Sequence, residues 1–108
     1  MTLTQLGALL SEVLPDKVTY RAWRVGEAPD LPYICYYSTG SDNFGADNIV
    51  YHSRRPVRIE LYTKAKDLAV EAAIEAALAA GGVFWERDES YIDDEQVYMT
   101  IYEVEING

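Results

Sequence analysis

Few residues of this chain have side chains suited to catalysis. The 108-residue sequence contains one histidine, His52, and one cysteine, Cys35. A nucleophilic site would need an activated Ser or Cys, a base and an orienting carboxylate close together in space. Ser53 beside His52 supplies no such arrangement, and the apolar segment 33–37 around Cys35 favours a buried, unreactive thiol. We interpret His52 and Cys35 as structural residues and expect no catalysis.

Side chains that could hold a metal ion gather in one glycine-containing loop. They are Asp42, Asn43, Asp47 and Asn48. Carboxylate and amide oxygens suit calcium, but their spacing does not follow the EF-hand pattern, which ends in a bidentate Glu. The chain also has no CxxC, HExxH or glycine-rich phosphate motif. We therefore expect no metal site and no cofactor, and interpret the four residues as turn formers.

A second acidic group lies between the last two predicted strands. The paired carboxylates Asp93 and Asp94, which precede Glu95, could in principle transfer protons. Their many acidic neighbours instead indicate the solvated tip of a hairpin. A small hydrolase that uses His52 with a loop carboxylate remains the enzyme-class alternative.

The net charge of −9 at pH 7 excludes several classes of partner. An acidic surface repels nucleic acid phosphates and anionic lipid headgroups. A double-stranded RNA-binding domain would share an α-β-β-β-α order, but helix two here carries Asp67, Glu71 and Glu75 where a phosphate-binding surface needs Lys and Arg. No stretch approaches the ~20 apolar residues of a membrane span, and the N-terminus lacks a signal-peptide pattern. We expect a cytoplasmic protein that binds no small-molecule substrate, specific nucleic acid or membrane.

Hydrophobic periodicity predicts two helices and five strands in a single domain, residues 1–108. Helix one follows a capping box at Thr2 and Gln5 and ends before Pro15, whereas helix two begins at Asp67 and ends at Gly81. The predicted strands are 18–25, 33–38, 56–63, 83–87 and 97–106. The order α-β-β-β-α-β-β predicts an α+β, two-layer domain, with an antiparallel or mixed sheet and both helices packed on one face.

Two segments carry predictions about exposure. Residues 39–53 are so rich in Gly, Asp and Asn that they predict a mobile loop and not a regular strand. In helix two, the apolar positions expected in the core are Val70, Ala73, Ile74, Ala77 and Leu78. Asp67, Glu71 and Glu75 recur four residues apart, which predicts that they share the opposite, solvent-facing side.

Charges of opposite sign separate along the sequence. Arg54, Arg55 and Arg58 lie close together, whereas the C-terminal part is rich in Asp and Glu. A domain with both signs on its surface can bind copies of itself head to tail, and such contacts close into a ring when the rotation allows. We expect the three arginines on one contacting surface. The candidates for the facing surface are Glu71, Glu75, Asp93, Asp94 and Glu95, and the loop residues Asp42, Asn43, Asp47 and Asn48 complete the set.

Placed in this order, the elements resemble the tail terminator, or tail completion, proteins of bacteriophages with long, non-contractile tails, including prophage homologues. The matching features are the leading amphipathic helix, the Leu31-Pro32-Tyr33-Ile34 entry to strand two, the loop end at Ala46-Asp47-Asn48, the Arg58 to Thr63 strand that leads into Lys66-Asp67, the Glu71 to Leu78 helix, and the tyrosine-bearing last strand. Their order and spacing carry the resemblance, which runs through most of the chain.

The resemblance implies a homohexameric ring that caps the tail tube, stops its polymerisation and presents the surface to which the head docks. It implies three kinds of partner: copies of the same chain, the tail tube protein and a head-completion or connector protein. The implied location is the head-proximal end of the tail, after assembly in the host cytoplasm. It also implies no cofactor and no catalysis. A different small head-tail joining protein is the alternative.

Overall fold

The computed structural model describes the backbone of residues 1–40, 42–46 and 49–107, and the side chains of residues 1–40 and 54–107. The elements are α1 (Leu3–Val13), β1 (Val18–Tyr20), β2 (Tyr33–Ser38), β3 (Asp42–Ala46), β4 (Ile49–Thr63), α2 (Leu68–Ala80), β5 (Trp85–Ile92) and β6 (Val97–Ile106). The α+β class predicted from the sequence is confirmed.

Both helices begin where their capping residues place them. The Gln5 backbone N–H donates to Thr2 Oγ1 at 3.1 Å, and the Thr2 N–H donates to Gln5 Oε1 at 2.8 Å, which completes the predicted capping box. At the start of α2, Asp67 Oδ1 accepts a hydrogen bond from the Val70 N–H at 3.1 Å. These caps satisfy N–H groups that have no partner within the helix.

The main sheet is mixed and has the strand order β1-β2-β4-β6-β5. β1 and β2 are parallel, whereas the β2–β4, β4–β6 and β5–β6 pairs are antiparallel. β6 therefore lies inside the sheet, paired with β4 on one side and β5 on the other. The predicted hairpin of the last two strands is confirmed, although β5 begins at Trp85 and extends to Ile92.

One face of this sheet carries the core. Val57, Ile59 and Leu61 of β4 alternate with outward-facing residues and are completely buried. They pack in one cluster with residues from both helices, from β2 and from β6, including Leu6, Leu10, Ile34, Ile74, Leu78, Tyr102 and Val104. Both helices thus cover the same sheet face, as the sequence predicts. The opposite face has no helix among the described residues.

The segment 39–53 differs from its prediction, because it contains a strand. Residues 42–46 form β3 and pair antiparallel with β4, from Asp42 opposite Arg54 to Ala46 opposite Ile49, with an irregularity between Phe44 and Gly45. The prediction that turn formers prevent a regular strand here is wrong. Main-chain hydrogen bonds define an antiparallel ladder, and they form with any residue that has an N–H. Mobility of this segment stays a prediction.

The extra strand changes the element order to α-β-β-β-β-α-β-β and the shape of the domain. Pairing of β4 with β6 ends at Arg55 opposite Ile106, so within the described part of the chain residues 49–54 of β4 pair with β3 and with no other strand. A 15-residue strand spans roughly 50 Å at about 3.3 Å per residue. The longest dimension of the molecule is 50 Å, against 28 and 23 Å for the other two. The β3–β4 hairpin accordingly extends past the end of the main sheet.

Candidate interaction surfaces

The helix-free face of the sheet carries a satisfied carboxylate. Glu60 is 9% exposed. The Tyr37 hydroxyl donates to Glu60 Oε2 at 3.0 Å, and the Tyr62 hydroxyl donates to Oε1 at 2.8 Å. Burial raises the pKa of Tyr62, and the hydrogen bond to Glu60 raises it further. Because both oxygens accept from tyrosines of the same chain, Glu60 is suited to holding β2 and β4 together.

Cys35 lies beside Glu60 in the β2–β4 register and is 5% exposed. Burial raises the pKa of the Cys35 thiol to about 11, with a further contribution from the charge of Glu60. The thiol is therefore protonated at neutral pH, and a protonated thiol is a poor nucleophile. The prediction of a buried Cys35 is confirmed. The side chains of His52 and Ser53 lie outside the described part of the chain.

The predicted arginine patch contacts acidic residues of its own chain. Arg54 NH1 lies 2.8 Å from Glu105 Oε2, and Arg58 Nε lies 3.2 Å from Glu103 Oε1. Both pairs join neighbouring strands β4 and β6. The expectation that these arginines and the C-terminal acids occupy separate surfaces is wrong for these two pairs, because antiparallel pairing places the two segments side by side. Arg55 is half-buried and lies opposite Ile106 in the register.

Glu71 does not face solvent as its spacing predicts. Its side chain is 3% exposed, and its carboxylate lies 2.7 Å from Lys66 Nζ and 3.6 Å from Arg87 NH1. Glu75 is 21% exposed at its side chain and accepts from Arg87 NH1 at 2.7 Å and from the buried Tyr102 hydroxyl at 2.8 Å. Glu71 therefore cannot contact another copy directly.

The position of β5 explains why Glu71 is buried and does not face solvent. Ile74 and Leu78 form the buried face of α2. Glu71 precedes Ile74 by three residues, a spacing that places the two side chains on the same side of the helix. Arg87 projects from the neighbouring strand toward this edge of the helix and supplies a charge partner. Lys66 also pairs with Glu89 of β5. A carboxylate beside such partners can be buried, and helical spacing alone does not reveal them.

The remaining candidates divide by position. Asp93, Asp94 and Glu95 are exposed in the turn between β5 and β6, so the predicted solvated hairpin tip is confirmed. Asp42 and Asn43 belong to β3, but their side chains lie outside the described part. Asp47 and Asn48 lie outside the described residues altogether. A contact role for these residues stays a prediction.

The two most exposed large apolar side chains in the described part of the chain are not singled out by the sequence interpretation. Phe84, next to the start of β5, is 81% exposed and stands between two grooves of about 380 and 490 Å³. Both grooves are lined by Arg54 and Glu105. Val25 is fully exposed in the segment between β1 and β2, beside a groove of about 460 Å³ that Trp23 also lines. From the sequence alone, alternation along segment 83–85 could place either Phe84 or its two neighbours in the core. The position of this segment at the start of β5 determines that Phe84 is exposed.

No group of three or more His, Cys, Asp or Glu side chains in the described part of the chain is arranged to hold a metal ion. None of the described helices has the length and apolar character needed to cross a membrane.

The comparisons with known proteins bear on the fold. No protein-family model and no curated protein matches the chain. A chain in the solved structure titled "Virion of native gene transfer agent (GTA) particle" is similar to it, with a TM-score of 0.56 and 14% sequence identity. The match covers 94% of this chain and 86% of that chain. At this identity the similarity shows a shared α+β fold over nearly the whole of both chains.

Proposed function

We propose that this chain is a structural subunit of a tailed phage or phage-like particle. In this proposal it forms a ring that caps the tail tube, stops its polymerisation and provides the surface for head docking. The observation that carries the proposal is the nearly full-length similarity in fold to a chain from a gene transfer agent virion. The sequence resemblance to tail terminator proteins, which rests on different features, supports the same class.

The chemistry of the described side chains supports a role through surfaces. Glu60 is occupied by two tyrosines, the Cys35 thiol is protonated, and Glu75 is occupied by Arg87 and Tyr102. These groups stabilise the fold and leave no activated nucleophile among them. The features available to a partner are the exposed apolar side chains, the acidic turn and the ends of the sheet.

Three partners follow from this proposal: copies of the same chain, the tail tube protein and a head-completion or connector protein. The β3–β4 hairpin extends past the main sheet and so suits contact with one of them. The residues assigned to this contact are Asp42, Asn43, Asp47, Asn48, Arg54 and Arg55. Burial on binding would have to offset an ordering cost of roughly 1–2 kcal/mol for each backbone residue that the contact fixes.

The proposal is tested by disrupting the gene for this chain in the phage or phage-like element that encodes it. We expect tail tubes of uncontrolled length and heads without tails, both visible by electron microscopy. Tails of normal length that fail to join heads would instead indicate a different head-tail joining protein. Cryo-electron microscopy of wild-type particles provides the second measurement, in which we expect a hexameric ring of this chain where tail meets head. Normal infectious particles from the disrupted gene would refute the proposal.

A further inference from the structure

We propose that neighbouring copies of this chain bind each other head to tail, with the Val25 turn of one copy seated in the acidic groove beside Phe84 of the next. The proposal rests on the ring described above and assigns its subunit contact. Val25 and Phe84 have the highest exposure, 104% and 81%, of the large hydrophobic side chains in the described part of the chain. A single exposed apolar side chain is ordinary on a protein surface, and a contact is indicated only where the charges around two such side chains complement each other.

The two surroundings differ in charge. The larger groove beside Phe84 is lined by Glu86, Glu103 and Glu105. Arg54 pairs with Glu105 and Arg58 pairs with Glu103, so the charge offered to a partner is that of Glu86. Glu86 is exposed and has no ion-pair partner within the described part of its own chain. The site is thus an apolar anchor with an acidic rim, a surface that selects a partner carrying a cation next to an apolar side chain.

The Val25 turn has the complementary pattern. Arg24 immediately precedes Val25, is exposed, and forms no ion pair with the other described side chains. From Lys17 to Gly26 the sequence contains three cationic residues and no carboxylate, and the nearest carboxylates in the sequence are Asp16 and Glu27. Glu95 also lines the groove beside Val25. Arg24 and Val25 therefore offer the charge and apolar contact that Glu86 and Phe84 lack.

The positions of the two sites permit a head-to-tail contact. Phe84 immediately precedes β5, whereas the groove beside Val25 is lined by Ile92, the last residue of that strand. An 8-residue strand separates them by roughly 26 Å. Each copy can therefore use both sites at once, which is the condition for a heterologous contact that closes into a ring.

The test uses two variants that each lose one half of the contact. Val25→Asp removes the apolar contact of the turn and leaves the groove intact. Phe84→Asp removes the apolar contact of the groove and leaves the turn intact. At concentrations where sedimentation velocity shows wild-type oligomers, we expect each variant alone to be monomeric. An equimolar mixture should form a one-to-one dimer and nothing larger, because each variant then supplies one intact half. Leu68→Asp, at a 68% exposed position on α2, is the control and should assemble as wild type.

Charge reversal tests the proposed pairing of Arg24 with Glu86. We expect Arg24→Glu and Glu86→Arg each to weaken association by about tenfold or more, and the double variant to recover most of the loss. Circular dichroism of every variant checks that it is folded. Folded variants that still assemble like wild type, or a mixture that remains monomeric, would overturn this contact and leave the ring itself standing. A wild-type chain that stays monomeric both in solution and in the particle would overturn contact and ring together.

Discussion

Replacement of Glu71 by Ala should destabilise the domain by about 2 kcal/mol. Loss of a hydrogen bond to a charged group costs about 1.5–3 kcal/mol, and Glu71 Oε2 lies 2.7 Å from Lys66 Nζ. A cost of about 3–5 kcal/mol applies when the surviving partner is left buried and unpaired. Here Lys66 and Arg87 are 37% and 46% exposed at their side chains and keep Glu89 and Glu75 as partners. Removal of Glu71 therefore leaves no buried charge without a partner, so we expect a loss of about 2 kcal/mol and not of about 3–5 kcal/mol.

Two further variants separate burial from charge. Glu71→Met also loses the pair with Lys66, but it keeps an unbranched side chain beside Ile74 and Leu78, and its apolar burial offsets part of that loss. We expect its free energy of unfolding to lie within about 1 kcal/mol of wild type. Glu12→Ala makes the same change at an exposed helical position in α1 and is the matched control, with an expected effect within about 0.5 kcal/mol.

Urea unfolding followed by circular dichroism measures all three variants, and the expected loss for Glu71→Ala corresponds to a Tm lower by roughly 8 °C. The result that refutes the reasoning is equal stability of Glu71→Ala and Glu12→Ala. Glu71 would then face solvent, as helical spacing predicts, and the network that joins α2 to β5 would contribute nothing measurable.

Three other variants have separate expected outcomes. Ile74 is completely buried, so Ile74→Ala should lower the free energy of unfolding by about 2–5 kcal/mol in urea titrations. The raised pKa of Cys35 stabilises the fold below about pH 9, and this contribution is lost as pH rises toward 11. The stability difference between wild type and Cys35→Ala should therefore shift by about 2–3 kcal/mol across that range, to the disadvantage of wild type. Arg54→Glu/Arg55→Glu should cost at most about 1 kcal/mol in a thermal melt, since the Arg54–Glu105 pair is partly exposed, yet tails should fail to terminate. Normal tail lengths would remove these arginines from the contact.

Hydrophobic periodicity, helix-capping residues and turn residues in the sequence predict most of the fold. The capping box at Thr2, the alternation in β4 around Ile59 and the burial of Ile74 and Leu78 in α2 are local signals, and each appears in the structure at the expected place. The prediction that Ala73 lies in the core is wrong, because this residue is exposed. β3 could not be found this way. Its five residues contain Gly, Asp and Asn, and the strand is defined by backbone pairing with β4, a contact that local composition does not encode.

The candidate contact residues were harder to predict because charge pairing is set by tertiary neighbours. Sequence distance separates Arg58 from Glu103, but the β4–β6 register places them opposite each other. In the same way, Glu71 has the spacing of a solvent-facing residue and becomes buried because Arg87 approaches from β5. By contrast, Asp93 and Asp94 are exposed as predicted, since a tight turn at the end of a hairpin leaves polar side chains in water.

These internal pairs change what the charge of the chain implies for assembly. Arg54, Arg58, Lys66 and Arg87, four of the nine basic residues, each pair with a carboxylate of their own chain. With a net charge of −9, copies of the chain repel one another over most of their surfaces. A ring of such subunits therefore requires contacts in which apolar burial supplies the affinity and a local charge pair supplies the register. A broad attraction between basic and acidic faces cannot do this, because the chain has eighteen acidic and nine basic residues, and four of the nine already pair within the subunit.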